Sequence, residues 1–141
     1  MSLRLRSGFL AACLACCFLG PPCQLAQGQT STPAATQEAV PSISAHAFQA
    51  LIEEKKPVFI LDVRQQEEYD AGHIDNAVLI PLNVLPGRYS ELPRDKTIVV
   101  YCRSGGRSAR AVAFLRAQGF ANAFSLSGGF TGWTEFQQTG N

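Results

Sequence analysis

The sequence predicts a single α/β domain, a three-layer fold in which a parallel sheet carries helices on both faces. Two near-continuous apolar runs, VFILDV at residues 58–63 and TIVVYC at residues 97–102, are typical of strands that are buried on both faces. Shorter apolar runs at residues 77–80 and 123–126 are further strand candidates. Helical patterns fall between these runs, and alternating strands and helices predict a parallel sheet.

Helical periodicity predicts three helices, at residues 44–54, 108–120 and 129–136. In the first, Ser44 is a candidate N-cap, and four apolar residues are predicted to face inward: Ala47, Phe48, Leu51 and Ile52. In the second, Gly119 follows the periodic residues and is predicted to end the helix as its C′ residue. Ligands of such sheets bind at the carboxyl ends of the strands, so a site is expected there.

Residues 1–28 have the pattern of a secretory signal peptide. Two arginines precede the apolar run GFLAACLACCFLG, and the small residues of AQG, residues 26–28, fit a cleavage site. The run is too short to span a hydrocarbon core, which requires about 20 residues. We therefore predict cleavage and a periplasmic or secreted protein. The alternatives are an uncleaved N-terminal anchor and a lipoprotein modified at Cys13 or Cys17.

Residues 29–42, QTSTPAATQEAVPS, are rich in Thr, Ser, Ala and Pro and predict a flexible linker. The folded domain is predicted to span residues 43–138. Removal of residues 1–28 would take away all but one of the 5 cysteines and leave Cys102. An exported domain with one cysteine has no internal disulfide, and its unpaired thiol is a candidate reactive group.

The composition argues against several classes of function. Hydrophobic residues make up 46% of the chain and charged residues 16%, which is typical of a globular domain. The net charge is +1 without a basic stripe, so we predict no nucleic-acid partner. The histidines and cysteines show no metal-ligand spacing, and we predict no metal, no cofactor and no membrane association after signal cleavage. The oligomeric state is left open.

The stretch CRSGGRS, residues 102–108, is the strongest candidate site. Cys102 ends a predicted strand, and a helix is predicted to begin near Ser108. The two glycines between them allow positive φ angles, so that successive N–H groups can converge on one anion. The helix N-terminus and two arginines add positive charge. The candidate substrate-binding residues of this loop are Arg103, Ser104, Gly105, Gly106 and Arg107.

These features favour the thiolate of Cys102, because a free thiol with a pKa near 8.5 is only about 3% ionised at pH 7. The same cradle would stabilise an anionic substrate. We therefore predict that Cys102 is a catalytic nucleophile, against the alternative of an inert buried thiol. For Ser108, a helix cap and a substrate contact are both open.

The chain resembles the rhodanese family of sulfurtransferases over nearly all of residues 43–136. LDVRQQEEYDAGHIDNAVLIPL at residues 61–82 is similar to the Asp-Val-Arg, Glu-Tyr and Gly-His-Ile stretch of that family. VVYCRSGGRSARAVAFL resembles its active-site segment, and LSGGFTGW at residues 126–133 resembles its closing Gly-Gly turn and tryptophan. The resemblance implies a cysteine that takes sulfane sulfur from a small anionic donor such as thiosulfate. The resulting persulfide passes the sulfur to cyanide or another thiophilic acceptor.

The loop length favours sulfur over phosphate as the atom attacked. Four residues separate Cys102 from Arg107, as in rhodaneses, whereas related phosphatases carry one residue more. Within this resemblance the N–H groups of the loop hold the outer sulfur, and Arg103 and Arg107 attract the donor, unless Arg107 braces the loop. A non-turnover persulfide carrier that serves a partner enzyme is the alternative function. A thiol redox protein is less favoured, since the mature chain would lack a resolving cysteine.

Three further polar residues are candidates for a role at the site, and two of them, Asp62 and Arg64, lie at the end of the first long predicted strand. Arg64 follows the first long strand, and we predict that it helps to bind the substrate. Asp62 is predicted to be a structural partner of a basic group. His73, in the GHI motif, is predicted to make a structural hydrogen bond, because thiosulfate cleavage by a thiolate needs no general base.

Overall fold

The computed structural model describes residues 39–140. The predicted signal peptide at residues 1–28 and most of the predicted linker lie outside these described residues. The strands are β1 (Ser42–Ile43), β2 (Val58–Asp62), β3 (Val78–Leu79), β4 (Thr97–Tyr101) and β5 (Ala123–Leu126). The helices are α1 (Ala45–Glu53), α2 (Gln66–Asp70), α3 (Leu85–Arg88), α4 (Gly106–Ala117) and α5 (Gly129–Thr139), and a 3₁₀ turn (Tyr89–Glu91) follows α3.

The five strands form one sheet in the order β1-β5-β4-β2-β3, and every pair is parallel. Strand β4 lies at the centre, with Asp62 of β2 opposite Tyr101 of β4. Since all strands run in one direction, the residues that follow β2, β4 and β5 meet at the same edge of the sheet. The prediction of a single α/β domain with a parallel sheet is confirmed.

Two apolar clusters pack on opposite faces of the sheet because successive side chains of a strand point to opposite faces. Ile98 and Val100 of β4 belong to the cluster beneath α4, whereas Val99 and Tyr101 belong to the cluster beneath α1 and α5. Cys102, two residues after Val100, continues the first row and lies in the α4 cluster. The alternation of β4 thus places the thiol on the face that α4 covers.

Several predicted boundaries differ from the structure. The predicted strands at residues 58–63 and 97–102 each end one residue earlier, and α4 begins at Gly106 instead of Ser108. The final helix extends to Thr139. Helices α2 and α3 were not predicted, because each is at most five residues long and shows no helical repeat of apolar side chains. Gly119 has φ 89° and follows α4, so the predicted C′ position is confirmed.

The inward face of α1 is narrower than the sequence pattern predicts. Phe48 is completely buried and contacts Trp133 of α5 at a ring-centroid distance of 5.0 Å. Ala47 is exposed, and Ile52 is 40% exposed because it borders an open groove between α1 and α5.

Within residues 39–140, none of the helices has the length and hydrophobicity that crossing a membrane requires.

Replacement of two apolar residues of α1 tests this difference in burial. Phe48→Ala should lower the free energy of unfolding by about 3–5 kcal/mol, since it opens a cavity at a fully buried position. Ile52→Ala should lower it by about 1 kcal/mol or less, because Ile52 is already half-exposed. Urea unfolding of the two variants and the parent measures the difference, and equal losses would contradict the packing described here.

Candidate active site

Cys102 lies at the carboxyl end of β4, and its side chain is 1% exposed. The chain then makes a short turn in which Gly105 adopts φ 105° and caps the N-terminus of α4. The Gly105 N–H donates to the sulfur at 3.1 Å, and the left-handed φ lets the chain turn from this N–H group into α4. Gly106 is the first residue of α4 and does not have a positive φ, so the expectation that both glycines curl the loop is wrong for Gly106.

Ser108 completes the immediate surroundings of the sulfur. Its Oγ is 3.7 Å from the Cys102 Sγ, 2.9 Å from the Gly105 carbonyl oxygen and 2.8 Å from the Ser125 Oγ. The N-cap of α4 is Gly105, so of the two roles left open for Ser108 the helix cap is wrong. The Ser108 hydroxyl has one proton to donate and several neighbouring acceptors, and the Ser125 hydroxyl can supply a second proton to this group of atoms.

The contacts around Cys102 favour its ionised form. Burial of the sulfur opposes ionisation, but the N–H and hydroxyl of Ser108 and the N–H groups of Gly105 and Ser104 outweigh it. Together they lower the pKa of the Cys102 thiol below its ordinary value. Lowering the pKa increases the thiolate fraction near neutral pH, and the thiolate is the nucleophilic form. The predicted convergence of loop N–H groups on the sulfur therefore has a geometric basis.

The loop is held from outside by the N-terminus of α5. The Phe130 N–H donates to the Cys102 carbonyl oxygen at 2.7 Å, and the Thr131 N–H donates to the Arg103 carbonyl oxygen at 3.0 Å. Gly129 makes this approach possible: a Cβ at that position would lie 2.5 Å from the Cys102 carbonyl oxygen. In the sequence, the Gly-Gly turn at residues 128–129 is recognisable only from its resemblance to the rhodanese family. Its contact with the loop was not predicted.

Arg64 is buried beside the site and is paired with Asp62. Its Nε and Nη2 donate to both carboxylate oxygens at 2.7–3.0 Å, and Nη2 also donates to the Gly72 carbonyl oxygen at 2.7 Å. Its guanidinium carbon lies 4.4 Å from the Phe130 ring centre. Burial opposes the charge, but Asp62 raises the pKa of Arg64 overall. The structural role predicted for Asp62 is confirmed, while substrate binding by Arg64 stays a prediction.

Arg107 is held by Glu68, a residue that sequence reasoning missed. Its two terminal nitrogens donate to the two Glu68 oxygens at 2.6 Å each. Hydrogen bonds from Arg107 lower the pKa of Glu68 to about 2. Of the two roles predicted for Arg107, the geometry agrees with the brace. The pairing was missed because 39 residues separate the two partners. The one sequence signal for Glu68 is the Glu-Tyr pair in the segment that resembles the family.

Arg103 differs from the other two arginines because it is exposed and, within residues 39–140, forms no ion pair. It lines a shallow depression of about 230 Å³ together with Arg64, Glu68 and Phe130. The loop therefore offers one uncompensated guanidinium to an approaching anion.

Residues 39–140 contain no group of three or more His, Cys, Asp or Glu residues that could hold a metal ion.

His73 lies away from the sulfur chemistry. Its Nδ1 is 3.0 Å from the Tyr69 carbonyl oxygen, and its ring stacks on Tyr69 at 3.8 Å. The predicted structural hydrogen bond is therefore confirmed. His46 is exposed on α1, where its ring meets the edge of Phe136 at a centroid distance of 6.5 Å.

Fold and site define a parallel α/β domain with a buried cysteine in a strand-to-helix turn, and known proteins are similar to this chain in sequence and fold. The family model of the rhodanese-like domain matches residues 44–136. A sulfurtransferase of Allochromatium vinosum is 35% identical over 94 residues, which cover 67% of this chain and 88% of that protein. A Bacillus subtilis protein named "Putative sulfur carrier protein YrkF" is 37% identical over 95 residues, which cover 67% of this chain and 51% of that protein.

A solved structure agrees with this match. The crystal structure of a rhodanese-like domain protein from Staphylococcus aureus has a TM-score of 0.62 and 34% identity, covering 66% of this chain and 90% of that one. The chain belongs to the rhodanese-like domain family, and its relatives include sulfurtransferases.

Removal of the Ser108 hydroxyl should raise the pKa of Cys102, because the thiolate loses a hydrogen-bond donor. In Ser108→Ala, alkylation by iodoacetamide well below the thiol pKa should slow by about threefold to tenfold, equivalent to one lost hydrogen bond. The pH profile of the alkylation rate measures the shift. Ser127→Ala, at an exposed position after β5, is the control and should keep the parent profile.

Gly129→Ala should destabilise the protein by about 2–4 kcal/mol, for two reasons. The new methyl group would clash with the loop backbone, and alanine is strained at the positive φ of this position. The substitution should also slow Cys102 alkylation, because the loop must move away from α5. Gly87→Ala in α3, where a Cβ meets nothing within 4 Å, is the matched control and should cause no loss. Urea unfolding and alkylation rates check both effects, and a neutral Gly129→Ala would disprove the close approach.

Proposed function

We propose that this chain is an exported sulfurtransferase that accepts sulfane sulfur from thiosulfate or a similar donor. The sulfur is carried as a Cys102 persulfide and passed to cyanide or another thiophile. The observation that carries the proposal is the Cys102 sulfur, buried at the end of β4 with the Gly105 N–H at 3.1 Å and the Ser108 hydroxyl at 3.7 Å. Membership of the rhodanese-like domain family and the relative named as a sulfurtransferase support the same reaction class.

In the first half-reaction, the Cys102 thiolate attacks the outer sulfur of thiosulfate. A new S–S bond forms, the original S–S bond breaks, and sulfite leaves with the electron pair. The Gly105 N–H, which donates to the Cys102 sulfur, stabilises the thiolate that attacks, and N–H groups of the same loop would stabilise the negative charge of the persulfide. No proton has to move in this step, which agrees with the absence of a histidine contact to the sulfur within residues 39–140.

In the second half-reaction, the acceptor attacks the outer sulfur of the persulfide. With cyanide, a carbon–sulfur bond forms, the S–S bond breaks, and the Cys102 thiolate is restored as thiocyanate leaves. The features that lower the pKa of Cys102 also make it a better leaving group in this step. One set of hydrogen bonds thus serves both halves of the cycle.

A non-turnover persulfide carrier is the second candidate, and the similarity to YrkF favours it. The two functions require the same loop, so they differ in whether the persulfide is discharged to a small acceptor. A carrier would be discharged only by a partner protein, and the open depression beside Arg103 and Phe130 leaves room for an approaching thiol.

Export is part of the proposal and is supported by the basic, apolar and small-residue pattern of residues 1–28. Cleavage there would leave Cys102 as the sole thiol of the mature chain, so that no internal cysteine could reduce its persulfide. The intact mass of protein from an exported fraction measures the mature N-terminus and any lipid on Cys13 or Cys17.

Incubation with thiosulfate should add the mass of one sulfur atom to the protein, and Cys102→Ser should remove this addition. With cyanide present, the parent should release thiocyanate over many turnovers, whereas a carrier would load once and stop. Absence of sulfur transfer from any sulfane donor, with Cys102 intact, would refute both functions. Hydrolysis of an aryl phosphate would instead restore the phosphatase alternative that the loop length disfavours.

A further inference from the structure

The charges at the mouth of the site nearly cancel. Three guanidiniums surround the loop, from Arg64, Arg103 and Arg107, but two of them are matched by carboxylates. Both carboxylate oxygens of Asp62 accept hydrogen bonds from Arg64, and both carboxylate oxygens of Glu68 accept hydrogen bonds from Arg107. Among the described residues at the mouth, the balance is one uncompensated positive charge, on Arg103.

Glu68 lies next to the free guanidinium of Arg103, because both residues line the same surface depression. It lines the depression beside the loop, whereas Arg107, to which it is bound, does not line it. The Gln65 N–H donates to the Glu68 Oε2 at 3.2 Å and fixes the carboxylate from its own helix. Because the pKa of Glu68 is about 2, this carboxylate stays ionised at every pH at which the protein would work.

We infer that Glu68 is a specificity-determining residue that makes the site favour singly charged sulfane donors, the class of thiosulfonates and persulfide anions, over doubly charged thiosulfate. The carboxylate withholds the Arg107 guanidinium from the donor and presents its own negative charge to it. A second charge on the donor gains little from the one free guanidinium and is repelled by Glu68. This inference rests on the proposed sulfurtransferase function and names the donor class within it.

Methanethiosulfonate is a matched probe for thiosulfate because it offers the same outer sulfur with one negative charge fewer. The Cys102 thiolate attacks that sulfur, a new S–S bond forms, the old S–S bond breaks, and methanesulfinate leaves with the electron pair. The comparison therefore changes the donor charge and leaves the type of bond transferred unchanged.

The experiment compares kcat/KM for thiosulfate and methanethiosulfonate, with cyanide as the acceptor, at low ionic strength. Glu68→Gln should raise the thiosulfate to methanethiosulfonate ratio by about threefold to tenfold, the range expected for one charge removed at short distance. Added salt should reduce the difference. Glu68→Asp keeps the charge and should keep the parent ratio. Glu67→Gln removes an exposed charge from the same helical turn and should also keep it.

A second readout does not depend on sulfur transfer. Iodoacetate and iodoacetamide alkylate the same thiol but differ by one negative charge, so the ratio of their rates reports the field at Cys102. Glu68→Gln should raise the iodoacetate to iodoacetamide ratio, whereas a loop that had merely loosened would change both rates alike. If the parent turned over neither donor, the proposed function would fail, and the alkylation ratio would still decide the role of Glu68. Equal ratios in Glu68→Gln and the parent would overturn the inference.

Discussion

The active loop depends on the two hydrogen bonds that the N-terminus of α5 donates to it. The Phe130 and Thr131 N–H groups hold the carbonyl oxygens of Cys102 and Arg103 at 2.7 and 3.0 Å. In a trans peptide the N–H points opposite to the carbonyl, so fixing these two oxygens toward α5 turns the N–H groups of Arg103 and Ser104 away from α5 and into the loop. The cradle around the sulfur is thus oriented from outside, by a helix whose described hydrogen bonds go to the loop carbonyl oxygens and not to the sulfur.

The parallel sheet makes this arrangement possible. Because β4 and β5 are neighbours that run in the same direction, α4 and α5 begin at the same edge, one on each face of the sheet. The α4 N-terminus lies behind Cys102 and the α5 N-terminus lies against the loop backbone. Both positive helix ends therefore approach the segment that carries the anionic sulfur. Gly129 permits the second approach, since a side chain there would meet the Cys102 carbonyl oxygen.

The sequence predicted the features that depend on neighbouring residues. The apolar runs located β2, β4 and β5, and the Gly-rich segment after a strand located Cys102, because both signals lie within a few residues. It missed the features that depend on distant contacts. The ion pair between Glu68 and Arg107 joins residues 39 positions apart, and the local pattern of neither segment indicates that the two residues pair. Helix α2, which carries Glu68, is too short and too polar to show a helical repeat.

The two ion pairs at the site differ in their exposure to water and therefore in the cost of removing one partner. Asp62 and Arg64 are at most 4% exposed, and separating them would leave a buried charge unpaired at a large cost. Glu68 and Arg107 are 27–30% exposed, and water can solvate either partner if they separate. Replacement of Glu68 therefore leaves Arg107 accessible to water, whereas replacement of Asp62 would leave Arg64 buried without a partner. Of the two carboxylates, Glu68 is therefore the one that can be replaced without leaving an unpaired charge in the core beneath the loop.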